Sequence, residues 1–261
     1  MITAPLVEVF SGIQGEGLFV GERQFFIRFA RCNLECAYCD TPESRNAPAR
    51  CVIETEAGSG QFQQFDNPVT VEQLCAWLVG LDRPRGLHHS VSLTGGEPLC
   101  HAEFLQELLP ALAERGLSRY LETNGTLSDT LPRLLPHLDY VAMDLKLPSA
   151  TGQPAQWDEH REFLRLLTEH RTRDGRPITF TKAVLAEGTT EDEIAQAAQL
   201  VAAVSPAIPM VIQPVTPLGG TGFQPVAAPN PPQVLSLQTA ARAHLRTVRV
   251  IPQTHKLIGQ R

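Results

Sequence analysis

The chain has 261 residues, 43% of them hydrophobic and 19% charged, with a formal net charge of −6. Its length suits one domain with a large core, up to a single α/β barrel, and its composition is that of an ordinary globular protein. The acidic balance excludes a surface that coats nucleic acid, though not a small basic pocket, and no apolar run approaches the length of a bilayer span.

The N-terminus, Met1–Val9, lacks the basic start and apolar core of a secretion signal, so a cytoplasmic protein is expected. The stretch Glu8–Gly17, rich in small and polar residues, is predicted to be a loop whose backbone can reach a ligand, with Gln14 and Glu16 as hydrogen-bonding groups. Gln24–Ala30 is the first predicted strand, and a cysteine loop follows it. Pro42–Pro68, with Gly58-Ser59-Gly60 and no sustained period, is predicted to be an irregular insertion. A helix is predicted over Val71–Leu81, capped by Thr70 with Gln73 three residues on. Then come a strand at His89–Leu93, a glycine-rich turn, and a helix at Glu103–Glu114 with apolar residues at 104, 105, 108, 109 and 112. Further strands are predicted at Arg119–Glu122, Tyr140–Leu145, Ile178–Val184, Met210–Val215 and Thr247–Ile251. Helices are predicted at Asp158–His170, Glu191–Val204 and Pro232–His244. Pro214–Pro232 is dense in Gly and Pro, and reads as a surface connection or a mobile cover over a pocket. The repeated strand–helix alternation predicts an α/β fold with a mostly parallel sheet, either an incomplete barrel or an open doubly wound sheet, in one domain spanning 1–261.

Six cysteines in a chain of this size do not make a disulfide framework. Cys75 falls on an apolar helix and is predicted to be a core residue, while Cys51 and Cys100 have no spacing partner. Cys32, Cys36 and Cys39 are spaced to hold one face of a cubic iron–sulfur cluster, leaving the fourth iron without a protein ligand. A structural zinc site would need a fourth Cys or His, and no His lies between 32 and 51. A cluster-carrying or zinc-binding scaffold is the non-enzymatic alternative. After the strand at 89–93 stands Thr94-Gly95-Gly96-Glu97-Pro98, whose glycines would let the backbone approach a ligand. Glu122-Thr123-Asn124-Gly125 and Asp144-Leu145-Lys146 end later strands, where ligands gather in parallel sheets. Arg28, inside an apolar strand, must be paired by a substrate carboxylate or by a protein Glu.

The three-cysteine spacing with Tyr38 before the last cysteine, and the Gly-Gly-Glu-Pro turn after it, resemble the radical S-adenosylmethionine superfamily. Within it, Phe10–Gly17, Gly21–Arg28, Cys39-Asp40-Thr41 and Pro252-Gln253-Thr254-His255-Lys256 resemble the 7-carboxy-7-deazaguanine synthases. Activating enzymes of glycyl-radical enzymes share the cysteines and Gly-Gly-Glu-Pro, but not this start combined with this end. The resemblance implies an incomplete (β/α)6-type barrel that binds a [4Fe-4S] cluster and S-adenosylmethionine, the latter regenerated at each turnover. The implied reaction is ring contraction of 6-carboxy-5,6,7,8-tetrahydropterin to 7-carboxy-7-deazaguanine and ammonia, on the way to queuosine and other deazapurines. It implies Mg2+ on Thr41, and S-adenosylmethionine contacts from Tyr38, Cys39, Asp40, Gly96, Asp144, Leu145, Lys146, Gln213, Pro214, Val215 and Thr216. It places the pterin against Ile13, Gln14 and Gly15, with Arg28 and Thr94 polar to it, and with His255, Lys256 and the carboxylate of Arg261 closing the pocket. A homodimer reduced by a flavodoxin or ferredoxin is also implied.

Overall fold

The structure is a computed structural model and describes residues 2–172, 174–216 and 226–260. Twelve strands occur among them, in chain order β1 (Thr3–Ala4), β2 (Leu6–Ile13), β3 (Arg23–Phe29), β4 (Arg50–Glu54), β5 (Phe62–Asp66), β6 (Val69–Thr70), β7 (Ser90–Gly95), β8 (Arg119–Thr123), β9 (Tyr140–Leu145), β10 (Ile178–Leu185), β11 (Met210–Pro214) and β12 (Val248–Val250). The helices are α1 (Val71–Leu81), α2 (Ala102–Glu114), α3 (Leu131–Leu134), α4 (Pro148–Thr151), α5 (Trp157–Glu169), α6 (Glu191–Val204), α7 (Pro231–Arg242) and α8 (Thr254–Leu257). Ten strands form one sheet in the order β12-β11-β10-β9-β8-β7-β3-β2-β4-β5, and β1 pairs with β6 apart from it. From β3 through β7 to β12 every neighbouring pair is parallel. β2 runs antiparallel to β3, and β5 antiparallel to β4. β12 and β5 stand at the two ends of this order, so the barrel is open, as the alternation of strands and helices predicts. None of the described helices is long and apolar enough to cross a membrane.

All seven predicted strands are present, and α1 starts at the predicted capping box: Thr70 and Gln73 exchange bonds of 3.2 and 2.9 Å. Two expectations are corrected. Glu8–Ile13 is not loop but the greater part of β2, because its polar residues find partners in the neighbouring chain. Glu8 lies opposite Arg28, while the Ser11 amide donates to Glu54 at 2.9 Å and its hydroxyl sits 2.8 Å from His88. The insertion after Pro42 contains the hairpin β4–β5, and Gly58 and Gly60, both at positive φ, belong to its turn. Gly60 N donates to Glu54 at 2.9 Å, so one carboxylate ties the hairpin to β2. Within Pro214–Pro232, residues 217–225 lie outside the described residues.

Side chains alternate across the sheet. Phe25, Ile27 and Phe29 of β3, Val91 and Leu93 of β7, and Val141, Met143 and Leu145 of β9 join the helices in the main core. The other face surrounds the barrel axis. There Tyr120, Ala142, Phe180 and Val211 form a second, small core with Leu18, Phe19, Tyr140 and Ile251. Phe19 packs edge-on to Tyr120 and Tyr140, with centroids 5.8 and 4.8 Å away. The axial face is thus plugged here by two segments outside the parallel strands: the one before β3 adds Phe19, and the one after β12 adds Ile251.

Gly17 makes that insertion possible. Its φ is +68, and a Cβ there would lie 2.4 Å from the Phe180 ring. Gly17→Ala is expected to lower unfolding free energy by about 2–4 kcal/mol, from the left-handed backbone and the overlap together; a denaturation midpoint unchanged from wild type would contradict this packing.

Candidate active site

The carboxyl ends of the parallel strands surround a cavity of about 580 Å³. Cys32, Cys36 and Cys39 line one wall as free thiols, and no other cysteine among the described residues lines it. Cys51 and Cys75 are buried in the main core, as the helix pattern predicts for Cys75, and Cys100 is exposed. The cysteine loop is held from outside. Ala37 N donates to Thr151 O at 2.8 Å, Arg45 donates to Cys36 O at 2.8 Å, and Asn124 donates to Asn33 at 2.8 Å. Burial pushes the Cys32 and Cys36 thiols up, with Lys146 opposing, so metal uptake here would release protons. Three thiols on one wall, with no fourth among the described residues, fit a [4Fe-4S] cluster with one open iron.

The glycine pair explains how two segments distant in sequence meet. Arg31, just before Cys32, has φ 73, and its carbonyl accepts from Glu97 N at 2.8 Å. A Cβ on Gly96 would lie 2.0 Å from that carbonyl oxygen, and one on Gly95 2.4 Å from Phe29 O. Beyond the expected approach to a ligand, these glycines admit the chain itself: Gly96 the backbone at the start of the cysteine loop, Gly95 that of β3. Both still line the cavity. Glu97, fully buried, accepts from Leu99 N at 3.0 Å, Asn124 N at 2.7 Å and Thr123 Oγ1 at 2.9 Å, locking the ends of β7 and β8 together.

Of the other predicted site residues, Ile13, Gln14, Gly15, Arg28, Tyr38, Asp40, Thr41, Thr94, Asp144, Lys146, Gln213, Val215 and Thr216 line the cavity. Leu145 and Pro214 do not, because they take the alternate strand positions; Leu145 faces the helix-side core and Pro214 pairs with Leu185 beside it. Arg261 lies outside the described residues. Arg28 is met by protein first: its Nε donates to Glu8 at 2.8 Å, and Nη1 approaches Thr41 Oγ1 at 3.4 Å. Gln14 is buried with its amide engaged, donating to Gln24 and Glu122 at 3.0 Å each and accepting from Glu16 N at 3.0 Å. Gly15 is required by the carboxy-terminal segment: a Cβ would meet His255 at 2.1 Å, and Thr254 N donates to Gly15 O at 2.9 Å. Gln213 has a buried amide oxygen with no partner, on the cavity wall. Such an acceptor suits a donor from a bound group.

Below these residues lies a charged layer that sequence reasoning missed in part. Lys182 is buried and donates to Glu16, and its Nζ lies 3.3 Å from Asp144. Lys146 lies 2.8 Å from Asp144 and donates to the Tyr38 hydroxyl at 3.1 Å. Burial works to raise Glu16 and Asp144, but Lys182 holds the first below its ordinary value, and Lys146 and Lys182 do so for the second. Glu122 goes the other way: burial raises it, although Ser92 donates to it at 2.6 Å. Asp40 is held down to about 2, because Lys256 and Arg28 overcome the effect of burial. The signal for Lys182 was present, since a lysine within Phe180–Val184 needs a partner just as Arg28 does.

The family model of the radical SAM superfamily matches residues 26–201. The chain is 44% identical to a 7-carboxy-7-deazaguanine synthase of Geobacter sulfurreducens over 98% of both chains. It is 35% identical to one of Methanothermobacter thermautotrophicus over 100% of this chain and 99% of that one. Among solved structures it is similar in fold to QueE from Escherichia coli, with a TM-score of 0.60 and 21% identity over 96% of this chain and 93% of that one. Streptococcus suis SuiB bound to S-adenosylmethionine matches with a TM-score of 0.55 and 14% identity, over 87% of this chain and 51% of that one.

Burial raises Glu97 to about 7 against three hydrogen bonds that lower it. The folded protein thus holds this proton more tightly than the unfolded chain, whose value is near 4.5. Its contribution to stability is full at low pH and is lost as the pH rises toward 7. In cluster-free protein the stability of wild type, followed by urea denaturation, is expected to fall relative to Glu97→Gln by on the order of 3 kcal/mol between pH 4.5 and 7. Parallel pH curves for the two proteins would remove this assignment.

Proposed function

The chain belongs to the radical S-adenosylmethionine superfamily and, within it, to the 7-carboxy-7-deazaguanine synthases, and we propose that it contracts 6-carboxy-5,6,7,8-tetrahydropterin to 7-carboxy-7-deazaguanine with loss of ammonia. The observation that carries this reading is a wall of three thiols, with no fourth among the described residues, facing a cavity lined also by the Gln14-Gly15-Glu16 loop. When bound, the cluster and S-adenosylmethionine supply a 5′-deoxyadenosyl radical that abstracts hydrogen from the substrate. Everything else is asked of the chain's own residues. The whole chain, 1–261, works as one catalytic unit.

Cys32, Cys36 and Cys39 hold the cluster. Tyr38, Asp40, Gly96, Asp144, Lys146, Gln213, Val215 and Thr216 contact S-adenosylmethionine, with Gln213 accepting a hydrogen bond through its unpartnered oxygen. The pterin lies against Ile13, Gln14 and Gly15 through their main chain, because the Gln14 amide is already bonded within the protein. Arg28 turns its terminal nitrogens to the substrate carboxylate while Glu8 holds its Nε, and Thr94 adds a hydroxyl. Glu8 and the substrate thus share the guanidinium that either one alone was expected to satisfy. For Mg2+ the chain would supply Thr41 Oγ1, an oxygen ligand that suits a hard cation, alongside the substrate carboxylate and water. That hydroxyl donates to Asp40 Oδ1 at 3.1 Å and lies 3.4 Å from Arg28 Nη1. His255 and Lys256 cover the cavity and keep water from the reacting centre. The family resemblance extends the reading to a homodimer reduced by a flavodoxin or ferredoxin.

Protein reconstituted anaerobically, with reductant, S-adenosylmethionine, Mg2+ and the carboxytetrahydropterin, is expected to form the deazaguanine, detected by mass. Cleavage to 5′-deoxyadenosine without that product would remove the substrate assignment; no cleavage at all would sink the radical reading. Cys36→Ala is expected to abolish the brown cluster and Cys75→Ala to keep it, which absorbance after reconstitution checks.

A further inference from the structure

We propose that Gln253 is a positioning residue that ties the seating of Cys39 to closure of the carboxy-terminal segment over the cavity. Gln253 is 8% exposed, and its Nε2 donates to Glu16 Oε1 at 2.7 Å and to Asp40 Oδ2 at 3.0 Å. Its Oε1 accepts from Lys256 Nζ at 2.7 Å, and that ammonium also reaches Asp40 Oδ2 at 3.3 Å. Two carboxylates on one side and an ammonium on the other fix which way the amide points. One side chain therefore joins the substrate-side loop, the cysteine loop and the last turn of the chain.

The bonds do not stop there. From Glu16 they run through Lys182 to Asp144, then through Lys146 to the Tyr38 hydroxyl. Tyr38 and Asp40 flank Cys39. The circuit leaves the cysteine loop on one side of this cysteine, passes through β9, β10 and both chain ends, and returns on its other side. Three carboxylates, Glu16, Asp40 and Asp144, alternate with three ammonium groups, Lys146, Lys182 and Lys256. Gln253 is the neutral link, and it bridges two groups of like charge that would otherwise repel. A break at Gln253 leaves Glu16 with Lys182 and Asp40 with Lys256, but removes the side-chain bonds that join Glu16 to Asp40. The Asp40 side of the third cysteine then loses its direct link to the substrate-side loop, which stays joined to the last segment through Thr254 N and Gly15 O.

The proposal rests on the reading of Cys39 as a cluster ligand, and its test separates the two. Hydrogen exchange is measured by mass spectrometry on wild type, Gln253→Leu, Asp40→Ala and the double variant, with and without a reconstituted cluster. Gln253→Leu is expected to speed exchange in both 14–17 and 36–41 by about tenfold, and loss of iron to a chelator by a similar factor, at an unchanged melting temperature. Because the effect on Cys39 passes through Asp40, the double variant is expected to exchange at 36–41 no faster than Asp40→Ala. Gln253→Glu, which keeps the shape but sets a third carboxylate between two others, is expected to give the same pattern and serves if the Leu variant does not fold. Faster exchange confined to 253–257, or fully additive effects in the double variant, would overturn the proposal. A wild-type protein that takes up no iron on its three cysteines would sink the ligand reading instead, and the exchange measured without cluster would then decide on Gln253 alone.

Discussion

Lys182 carries an ammonium group into a strand where Phe180, Ala183, Val184 and Leu185 are apolar and buried. An unpaired cation in such a place would cost several kcal/mol, and removing one partner from a buried pair typically costs about 3–5 kcal/mol. Glu16 and Asp144 must therefore be where they are, and much else follows. Glu16 can reach Lys182 only if the segment before β3 dips into the barrel mouth, which Gly17 permits by packing against Phe180. Asp144 can meet both lysines only if the ends of β9 and β10 stand level, as the pairing of Lys182 with Asp144 provides. Burial and charge pairing thus oppose each other at the same atoms, and pairing wins for Glu16, Asp144, Lys146 and Lys182 but not for Glu122. That carboxylate stands beside the same lysine but is raised by its burial.

Much of the fold was legible because parallel strands buried on both sides stand out as apolar runs, and helices that cover them show one apolar face. The five apolar positions expected on α2 are all buried. What was not legible has a common physical cause. β2 and β4 contain Glu8, Ser11 and Glu54, residues that look like loop until Arg28 of β3, His88 before β7 and the Gly60 turn are set beside them. A polar residue in a strand is intelligible only with its partner, and the partner lies up to 77 positions away. The cysteine loop needed no such partner to be recognised, because three ligands of one kind lie within one short segment.

The candidate site was legible to different depths for the same reason. The strand ends at Asp144 and Lys146 could be placed from position alone, yet strand alternation then turned Leu145 and Pro214 away. Gly95 and Gly96 were expected to make room for a ligand, and they make room for the chain itself. Gln14 was expected to offer its amide to a substrate, and that amide bonds inside the protein. In each case the neighbour was not foreseeable, since it comes from a different strand or loop.

The aromatic core around Phe19, Tyr120, Tyr140 and Phe180 closes the barrel beneath the charged layer. The chamber is therefore a cup with one mouth, not a tube. Whatever binds deepest must arrive first and leave last, and a small leaving molecule has to pass the groups that loaded after it. Both entry and exit therefore pass one rim, to which the Gln14–Glu16 loop, the cysteine loop and the last described residues all contribute.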